Sequence, residues 1–508
     1  MYAKTFGATI NGINGEEIIV EVDVAMGLPH FDIVGLPDTA IRESRGRVKA
    51  AIKNAGYVFP DTHITVNLAP ADLKKDGSGL DLPIAIGILL ATRQLTNKLA
   101  GESVFTGELA LDGSIRPVPG VLPMIIKAKE LQRKAVFIPK GNQTEGNLVE
   151  GISVYAPESL KELIGFFEEN LLLEPLPRSE RVWQTEESYL YDFADVQGQF
   201  QAKRALEIAA AGGHNVLMSG PPGGGKTMLA KRVPSILPPM TEAEAIEVTK
   251  IYSVSGLYKN KRGLVRQRPF RSPHHTISDR ALIGGGRLPQ PGEVSLSHNG
   301  VLFLDEFPEF TRSSLEVLRQ PLEDGFVTIS RVQSSLTFPA NFILLSAENP
   351  CPCGYYGEKD RKHPCTCKPS EVARYQKKIS GPLLDRFDIQ IHVPKLAYKE
   401  IKNTLPGEPS AKIRERVTKA REIQQKRFAG TAFHCNRELG HGEIGKFCPL
   451  TKEAEKLLEE AFAALGLSAR SHDKIIKVAR TIADLNGDGI IGTEHIGEAI
   501  QLKTREEN

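Results

Sequence analysis

The sequence predicts an α/β fold that is centred on a parallel β-sheet. Two short apolar runs, residues 215–218 and 301–304, lead into a glycine-rich loop and into two acidic residues. Such runs are typical of buried parallel strands, which carry their polar functional side chains at their carboxyl ends. Helical periodicity prevails in residues 399–508. We therefore expect a parallel-sheet core that is followed by a helical lid.

Residues 1–167 predict a separate mixed α/β domain. The periodicity indicates strands at 17–24, 63–68 and 135–138, and helices at 41–55 and 82–92. Residues 168–192 are charged and contain proline, which is typical of a semi-rigid linker. The core and the lid are then expected at 193–398 and 399–508, within the usual size range of domains.

The glycine-rich loop after the first apolar run fits the pattern G-x-x-x-x-G-K-[ST] in full. Its residues are Gly220, Pro221, Pro222, Gly223, Gly224, Gly225, Lys226 and Thr227. Glycines allow backbone N–H groups to turn towards phosphates, and the N-terminus of the following helix favours an anion. We expect Lys226 to reach the β- and γ-phosphates of ATP, and Thr227 to bind Mg²⁺. The flanking strand and helix disfavour a glycine-rich turn with a chance lysine.

Two acidic residues, Asp305 and Glu306, end the second apolar run. At the carboxyl edge of a sheet, Asp305 is expected to hold Mg²⁺, and Glu306 to orient and polarise the attacking water. A third apolar run, residues 342–347, precedes Asn349, whose amide is expected to hold the same water beside the γ-phosphate. A strand that ends in an acidic turn is common, and its pairing with the glycine-rich loop is what indicates ATP hydrolysis.

Two arginines complete the set of candidate catalytic residues. Arg386 lies in the sequence L-D-R-F-D, and its guanidinium offers a planar fork of donors for phosphoryl charge in the transition state. Arg470 follows Ser468 at the start of a predicted helix, from which it is expected to close the nucleotide site. A lone arginine is more often a solvated or salt-bridged surface residue, so both assignments depend on the order of the whole set.

With this order of motifs, the chain resembles the AAA+ ATPases. Residues 271–276 (RSPHHT), 292–300 (GEVSLSHNG) and 349–354 (NPCPCG) resemble the magnesium-chelatase-like branch and, within it, the YifB/ComM family. The resemblance covers nearly the whole chain and implies a homo-oligomeric, hexameric ring in which Arg386 acts on the nucleotide of a neighbouring subunit. It also implies an ATP-dependent DNA helicase that promotes branch migration in natural transformation, with single-stranded and branched DNA and recombination proteins as partners.

Other functions stay open. The chain is alternatively a magnesium-chelatase motor subunit, although the resemblance implies that such subunits lack the N-terminal domain; a protein remodeller or protease; or a non-enzymatic scaffold. Two segments are candidate pore loops of a ring that acts on DNA: residues 250–269, and a hairpin predicted at 325–338 with Arg331 near its tip. Packing at a subunit interface and a solvated edge are the alternatives for both segments.

The N-terminal domain resembles the Lon protease fold, which is ribosomal S5 domain 2-like. The similar residues are 75–79 (KDGSG) and 107–109 (GEL). Proteolysis by this fold would need a serine and a lysine within hydrogen-bonding distance. The resemblance places them at Gly79 and Leu122, and neither position has the required side chain. We therefore expect a protease-like scaffold without the catalytic dyad.

The loop 351–367 of the core contains four cysteines in two C-x-C pairs: Cys351, Cys353, Cys365 and Cys367. They suit a tetrahedral structural Zn²⁺, with disulfides and unbound thiols as alternatives. The loop and the residues after it are basic through Lys359, Arg361, Lys362, Lys368, Arg374, Lys377 and Lys378. Contact with nucleic-acid phosphates, simple solvation and packing at a subunit interface all remain open.

Residues 484–489 (DLNGDG) resemble the start of an EF-hand loop. The twelfth position, where a bidentate glutamate should bind calcium, is His495. We interpret the segment as a turn between two helices of the lid.

The composition is that of a globular protein with several domains. Of 508 residues, 41% are hydrophobic and 25% are charged, and the net charge is +2. Binding to nucleic acid would therefore need a local basic patch. The first residues lack the apolar core of a signal peptide, and the longest apolar run, 82–91, is too short to span a membrane. With six cysteines and no export signal, the protein is expected in the reducing cytoplasm.

Overall fold

The computed structural model describes residues 1–75, 77–177, 189–258, 263–286, 289–330, 335–357, 364–396 and 407–503. Arg331, Lys359, Arg361 and Lys362 lie outside the described residues, as do parts of the predicted linker and the predicted boundary between core and lid. Within these ranges, no helix has both the length and the apolar character needed to cross a membrane.

A mixed seven-stranded sheet forms the N-terminal region. The strands of this region are β1 (Tyr2–Asn11), β2 (Asn14–Ala25), β3 (His30–Val34), β4 (His63–Ala69), β5 (Val104–Phe105), the small hairpin β6 (Glu108–Leu109) and β7 (Ile115–Arg116), β8 (Ala135–Phe137) and β9 (Ser153–Tyr155). The order in the sheet is β3-β4-β2-β1-β5-β8-β9. Strand β2 pairs antiparallel with β1 on one side and with β4 on the other. The other neighbouring strands of this sheet pair in parallel.

The helices of the N-terminal region bury the apolar faces that the sequence predicts. They are α1 (Thr39–Asn54), α2 (Asp81–Ala91), α3 (Lys98–Glu102), α4 (Val121–Glu130), α5 (Gln143–Gly146) and α6 (Leu160–Phe167). Asp38 starts α1 by accepting a hydrogen bond from the backbone N–H of Ile41 at 2.8 Å. Helix α2 is apolar on all sides, and it is buried because it lies between α1 and strands β1 and β2. The strands and helices predicted here are confirmed.

The core contains a five-stranded parallel sheet with the order β11-β14-β17-β10-β18. The strands of the core are β10 (Val216–Ser219), β11 (Phe270–Arg271), β12 (Gly284–Gly285), β13 (Gln290–Pro291), β14 (Val301–Leu304), β15 (Phe326–Ser330), β16 (Ser335–Pro339), β17 (Ile343–Glu348) and β18 (Ile389–His392). Strands β14 and β17 are buried along their whole length, as their apolar runs predict. Since β10, β14 and β17 are parallel neighbours, their carboxyl ends meet at one edge of the sheet.

Helices cover this sheet and connect its strands. They are α7 (Phe200–Gly212), α8 (Lys226–Ala230), α9 (Glu242–Val254), α10 (Asp279–Ile283), α11 (Glu293–Leu296), α12 (Arg312–Glu316), α13 (Arg319–Asp324), α14 (Pro369–Gln376) and α15 (Gly381–Leu384). The predicted hairpin is confirmed: β15 and β16 pair antiparallel from Phe326 with Pro339 to Ser330 with Ser335.

The C-terminal region is helical, as the sequence predicts. Its helices are α16 (Ser410–Arg427), α17 (His441–Phe447), α18 (Lys452–Leu465), α19 (Ala469–Asn486) and α20 (Thr493–Gln501). Buried residues of α16 and α19, among them Val417 and Ala479, share one hydrophobic core with α7 and the parallel sheet. This packing fixes α19 beside the core.

The N-terminal domain contacts both candidate pore segments. Ile13, in the turn between β1 and β2, belongs to one hydrophobic cluster with Tyr258 and with Phe338 of β16. Next to this cluster, the N–H of Gly120 donates to the carbonyl oxygen of Ser253 in α9 at 3.1 Å. The described parts of both segments are therefore anchored to the N-terminal domain.

Candidate ATPase active site

The glycine-rich loop joins β10 to α8 at the carboxyl edge of the parallel sheet. Gly220 has a φ of 159°, and a Cβ there would lie 2.2 Å from the carbonyl oxygen of Val393. Gly225 has a φ of 91° and directly precedes α8. A side chain at either position would clash or strain the backbone. Glycine thus lets the loop turn sharply between strand and helix, as a phosphate cradle requires.

Lys226 is buried and lies against the loop that precedes it. Its Nζ donates to the carbonyl oxygens of Gly220 at 2.6 Å and Pro221 at 3.0 Å, and to Oδ1 of Asn349 at 3.3 Å. Phosphate oxygens are charged acceptors and form stronger hydrogen bonds with an ammonium than carbonyl oxygens do. The structure therefore brings together Lys226 and Asn349, which the sequence places on two different loops.

The hydroxyl of Thr227 and the carboxylate of Asp305 form the second contact of the site. Thr227 Oγ1 donates to Asp305 Oδ2 at 2.6 Å, and the other carboxylate oxygen accepts from the N–H of Glu306 at 3.0 Å. Hydroxyl and carboxylate oxygens are ligands that suit Mg²⁺, which binds few protein groups beside phosphates. The two residues therefore fit the magnesium ligands that the sequence predicts.

Glu306 follows β14 and is held by a residue that the sequence interpretation missed. Its φ is 52°, its side chain is 55% exposed, and its Oε2 lies 3.1 Å from Nδ1 of His275. The His275 ring is positioned by the ring of His274, with centroids 4.1 Å apart, and by Phe310. His275 belongs to the RSPHHT segment, which follows β11 beside β14. That neighbouring position is the signal by which it could have been found.

Arg386 and Arg470 lie at the opposite edge of the sheet. Arg386 precedes β18, whose first residue, Ile389, pairs with Val216 at the start of β10. The glycine-rich loop instead follows the end of β10, about 13 Å away along a strand of four residues. Arg470 Nη1 lies 4.0 Å from Oδ2 of Asp385, on the same side as Arg386.

The lid holds Arg470 away from the glycine-rich loop of its own chain, whereas the sequence places it as a residue that closes the nucleotide site. The physical reason is the packing of α19, which Arg470 begins. Lys474 Nζ of this helix lies 3.3 Å from Asp388 Oδ1, and Thr481 is hydrogen-bonded to His214 at 2.8 Å. Both contacts fix α19 at the amino-terminal edge of the sheet, away from the glycine-rich loop.

The segment that carries Arg386 is anchored by a buried carboxylate. Asp388 Oδ2 accepts from the N–H of Asn215 at 3.0 Å and lies 3.6 Å from Nδ1 of His214. Burial opposes ionisation, but Lys474, His214 and the Asn215 N–H hold the pKa of Asp388 well below its ordinary value. Arg386 itself donates to Glu323, and burial together with the nearby Arg470 lowers its pKa.

The four cysteines of loop 351–367 converge on one point. All four Sγ atoms lie within 4.8 Å of one another. Cys351 Sγ is 3.3 Å from Cys353 and 3.8 Å from Cys365, and Cys353 is 3.6 Å from Cys365. These distances exceed a disulfide bond of about 2 Å. Four thiolates at about 2.3 Å from Zn²⁺ would be separated by about 3.8 Å, so the cluster fits this ion.

The electrostatics of the cluster favour one thiolate, at Cys353, whereas the neighbouring cysteines raise the pKa of Cys365 and Cys367. Burial acts against ionisation, but hydrogen bonds from the backbone N–H groups of Tyr355 and Thr366, with those of the neighbouring thiols, lower the pKa of Cys353 to about 6. Thiolate is the form of cysteine that binds metals.

The N-terminal domain has Gly79 and Leu122 at the two positions where the Lon resemblance places the serine and the lysine of the dyad. A Cβ on Gly79 would meet Oγ1 of Thr106 at 3.2 Å, and Leu122 is buried. Because glycine has no side chain and leucine has no amine, neither residue can form the dyad.

His495, at the twelfth position of the segment that resembles an EF-hand loop, accepts from the N–H of Gly492 through Nδ1 at 2.9 Å. Its Nε2 lies 3.2 Å from Asp488. That ring closes the turn between α19 and α20.

Models of the magnesium chelatase family match three parts of the chain. The model described as magnesium chelatase, subunit ChlI, matches residues 192–401, and the one described as subunit ChlI of Mg-chelatase matches residues 20–142. The model of the C-terminal part of subunit ChlI matches residues 407–503.

Individual relatives match over nearly the whole chain. YifB of Escherichia coli is 44% identical over 495 residues, which cover 97% of this chain and 95% of that protein. Competence protein ComM of Haemophilus influenzae is 45% identical over 495 residues, with 96% and 95% covered. Lon protease 2 of Bacillus subtilis is 27% identical over 145 residues, 27% of this chain and 26% of that protein. The extent of the similarity to YifB and ComM shows that the chain belongs to the YifB/ComM family of magnesium-chelatase-like AAA+ proteins.

Proposed function

We propose that this protein is an ATP-dependent DNA helicase that acts as a hexameric ring in the cytoplasm. It promotes branch migration during homologous recombination of single-stranded DNA in natural transformation, together with recombination proteins. The supporting observation is an assembled set of ATP-site side chains in a chain 45% identical to competence protein ComM over 96% of its length.

Each residue of the site has a role in this proposal. Lys226 exchanges the carbonyl oxygens of Gly220 and Pro221 for phosphate oxygens of ATP. Thr227 and Asp305 would hold Mg²⁺, which would supply positive charge to neutralise the phosphates. Glu306 orients and polarises the attacking water, and Asn349 holds that water beside the γ-phosphate.

The division of the site between two edges of the sheet supports the proposed ring. Arg386 and Arg470 lie at the edge opposite to the glycine-rich loop of their own chain. Both guanidinium groups therefore act on ATP held by the neighbouring subunit, where they stabilise the charge on the transferred phosphoryl group. A head-to-tail contact of this kind closes into a ring when its rotation permits.

The hairpin β15–β16 and the segment 250–269 are the pore loops of this ring. Both contact the N-terminal domain through the cluster that contains Ile13 and Phe338. Hydrolysis moves these segments against the phosphate backbone of DNA, with little preference for sequence.

The cysteine cluster binds a structural Zn²⁺ in this proposal. The fit of the sulfur distances to a tetrahedral site supports it. Cys351 is buried and lies two residues after Asn349, so an ion held by the cluster would stabilise the loop that follows the water-binding asparagine.

The decisive experiment measures ATP-dependent unwinding of forked DNA and three-strand branch migration by the full-length protein. The control is Glu306→Gln, which keeps the shape of the side chain and removes its charge. We expect unwinding by the wild type and at most about a hundredth of that rate with the variant. A wild type that neither binds DNA nor hydrolyses ATP faster with DNA contradicts the proposal.

A second candidate is a magnesium-chelatase motor subunit, which the descriptions of the family models favour. The sequence expectation that such subunits lack the N-terminal domain does not separate the two functions, because a model named after ChlI matches residues 20–142. ATP-dependent insertion of Mg²⁺ into a porphyrin in the presence of chelatase partner subunits would favour this candidate.

A further inference from the structure

A basic cleft of about 520 Å³ lies beside the candidate active site. We name it the α12–α14 groove, since Arg312 lines one wall, and Arg374 and Lys377, at the end of α14, line the other. All three residues are exposed, and in the part of the chain that the structure describes none lies within salt-bridge distance of a carboxylate. The charge of Arg312 is partly balanced by Glu316, one turn along α12. The fourth cation, Lys378, is neutralised by Glu309, which lies 3.0 Å from it. Among the described residues, the groove therefore has two positive charges without a carboxylate partner, those of Arg374 and Lys377.

Both walls of the groove are attached to the ATP site. On one side, the N–H of Glu309 donates to the carbonyl oxygen of Glu306 at 2.7 Å. On the other side, Gln376 Nε2 donates to the carbonyl oxygen of Pro350, the residue after Asn349, at 3.5 Å. The ion pair of Lys378 with Glu309 spans the two walls. An anion in the groove would thus contact the two segments that position Glu306 and Asn349.

The chemistry of the lining indicates a chain of phosphates. The cations of the lining are long side chains along two rims, whereas a single phosphate is usually held by converging backbone N–H groups at a helix N-terminus. The aromatic residue of the lining, Phe310, is only 5% exposed, so its face is not available for stacking on a base. These properties favour recognition of a nucleic-acid backbone without preference for its bases.

We propose that the α12–α14 groove binds the phosphodiester backbone of DNA and that its occupancy couples DNA binding to ATP hydrolysis at Glu306. This inference rests on the proposed action of the protein on DNA. The groove is a contact site for DNA outside the hairpin β15–β16, which is the proposed pore loop.

The test titrates the assembled full-length protein with fluorescent single-stranded oligo-dT and oligo-dA at several salt concentrations. R374E/K377E reverses two charges of the groove. K452E/K456E is the matched control, because it reverses two lysines on the exposed side of α18. At fixed salt we expect the groove variant to bind at least about tenfold more weakly, with a log–log salt slope smaller by about 1.4. The control should match the wild type, and oligo-dT and oligo-dA should bind alike.

Two further measurements keep the outcome interpretable. The conservative variant R374K/K377R should keep wild-type affinity, and the stimulation of hydrolysis by DNA should fall in parallel with affinity in R374E/K377E. Inorganic phosphate, at the same phosphate concentration as the oligonucleotide, should not compete.

The results separate this inference from the proposed function. A wild type that does not bind DNA removes both. A wild type that binds DNA with the same affinity and salt slope as R374E/K377E overturns the groove alone. Competition by inorganic phosphate would identify a single-phosphate site, and loss of the oligomer in R374E/K377E by size-exclusion chromatography would identify a subunit contact. Either result overturns the proposal, as does weak binding by R374K/K377R.

Discussion

Nδ1 of His275 lies 3.1 Å from Oε2 of Glu306, so a ring from the segment after β11 contacts the carboxylate at the end of β14. The Glu306 side chain is half-exposed, and its backbone is in the left-handed region, which residues other than glycine rarely adopt. A contact from the segment that follows a neighbouring strand therefore holds this carboxylate in its direction. A general base acts efficiently only when it is held within hydrogen-bonding reach of the water that it activates.

The first prediction concerns this contact. His275→Ala should lower kcat for ATP hydrolysis about tenfold with little change in KM, because it removes orientation rather than binding. His275→Gln retains a hydrogen-bond donor and should retain more of the rate. Steady-state hydrolysis by both variants checks this, with His441→Gln, at an exposed histidine of α17, as the control. A higher kcat for His275→Ala would mean instead that the histidine holds Glu306 away from the water.

The second prediction concerns the edge at which Arg386 and Arg470 lie. Lys226→Ala subunits lack a working phosphate loop but keep both arginines. These subunits are mixed with Arg386→Ala or with Arg470→Ala subunits, which keep an intact glycine-rich loop. The mixture should regain part of the ATPase activity, because an intact loop then receives both arginines from a neighbouring Lys226→Ala subunit.

The double variant Arg386→Ala/Arg470→Ala is the sharper form of this test. If both arginines act across the interface, it should also be rescued by Lys226→Ala subunits. Rescue of Arg386→Ala but not of Arg470→Ala would show that Arg470 acts within its own chain. Each variant measured alone gives the baseline against which rescue is judged.

The third prediction concerns the carboxylate that anchors the Arg386 segment. Asp388→Asn leaves Lys474 without its charged partner and should lower the free energy of unfolding by about 3 kcal/mol. The folded-state pKa of Asp388 is depressed, so its contribution is complete above the unfolded pKa and is lost as the pH falls through the folded pKa. The difference between wild type and variant should therefore be constant near neutral pH and shrink below about pH 4.

Denaturant unfolding at several pH values measures this difference. Asp385→Asn, on the same segment but 41% exposed, is the control and should change stability by less than about 1 kcal/mol. A difference for Asp388→Asn that grows as the solution becomes acidic would contradict the assigned sign.

The sequence predicts the strands and the carboxyl-edge residues of the site because both depend on local patterns. Buried parallel strands appear as short apolar runs, and Thr227 and Asp305 each directly follow such a run or its loop. The role of His275 is not visible in this way, because nothing local indicates which carboxylate a polar loop residue will contact. The edge occupied by Arg470 was likewise not predictable, since it depends on the packing of α19 against His214 and Asp388.

The fourth prediction concerns the cysteine cluster. Purified protein should contain about one Zn²⁺ per chain, and Cys353→Ser should reduce this content and lower the melting temperature, because each thiolate ligand contributes to folding of the loop. Metal analysis and thermal unfolding with and without a chelator check it. Cys435→Ser, at a buried cysteine outside the cluster, is the control for metal content. Less than about half an ion per chain would count against a four-cysteine site.

The last prediction concerns the contact between the N-terminal domain and α9. The carboxylate of Glu145, which is only 5% exposed, accepts from the N–H of Leu122 at 3.0 Å and from the hydroxyl of Ser253 in α9. Glu145→Ala leaves both donors buried without an acceptor, which costs about 2 kcal/mol. Amide hydrogen exchange should therefore accelerate in α4 and in α9 together, whereas Glu130→Ala, at a side chain that is 62% exposed, should change neither. Faster exchange confined to α4 would show that Glu145 stabilises its own domain without coupling it to the candidate pore segments.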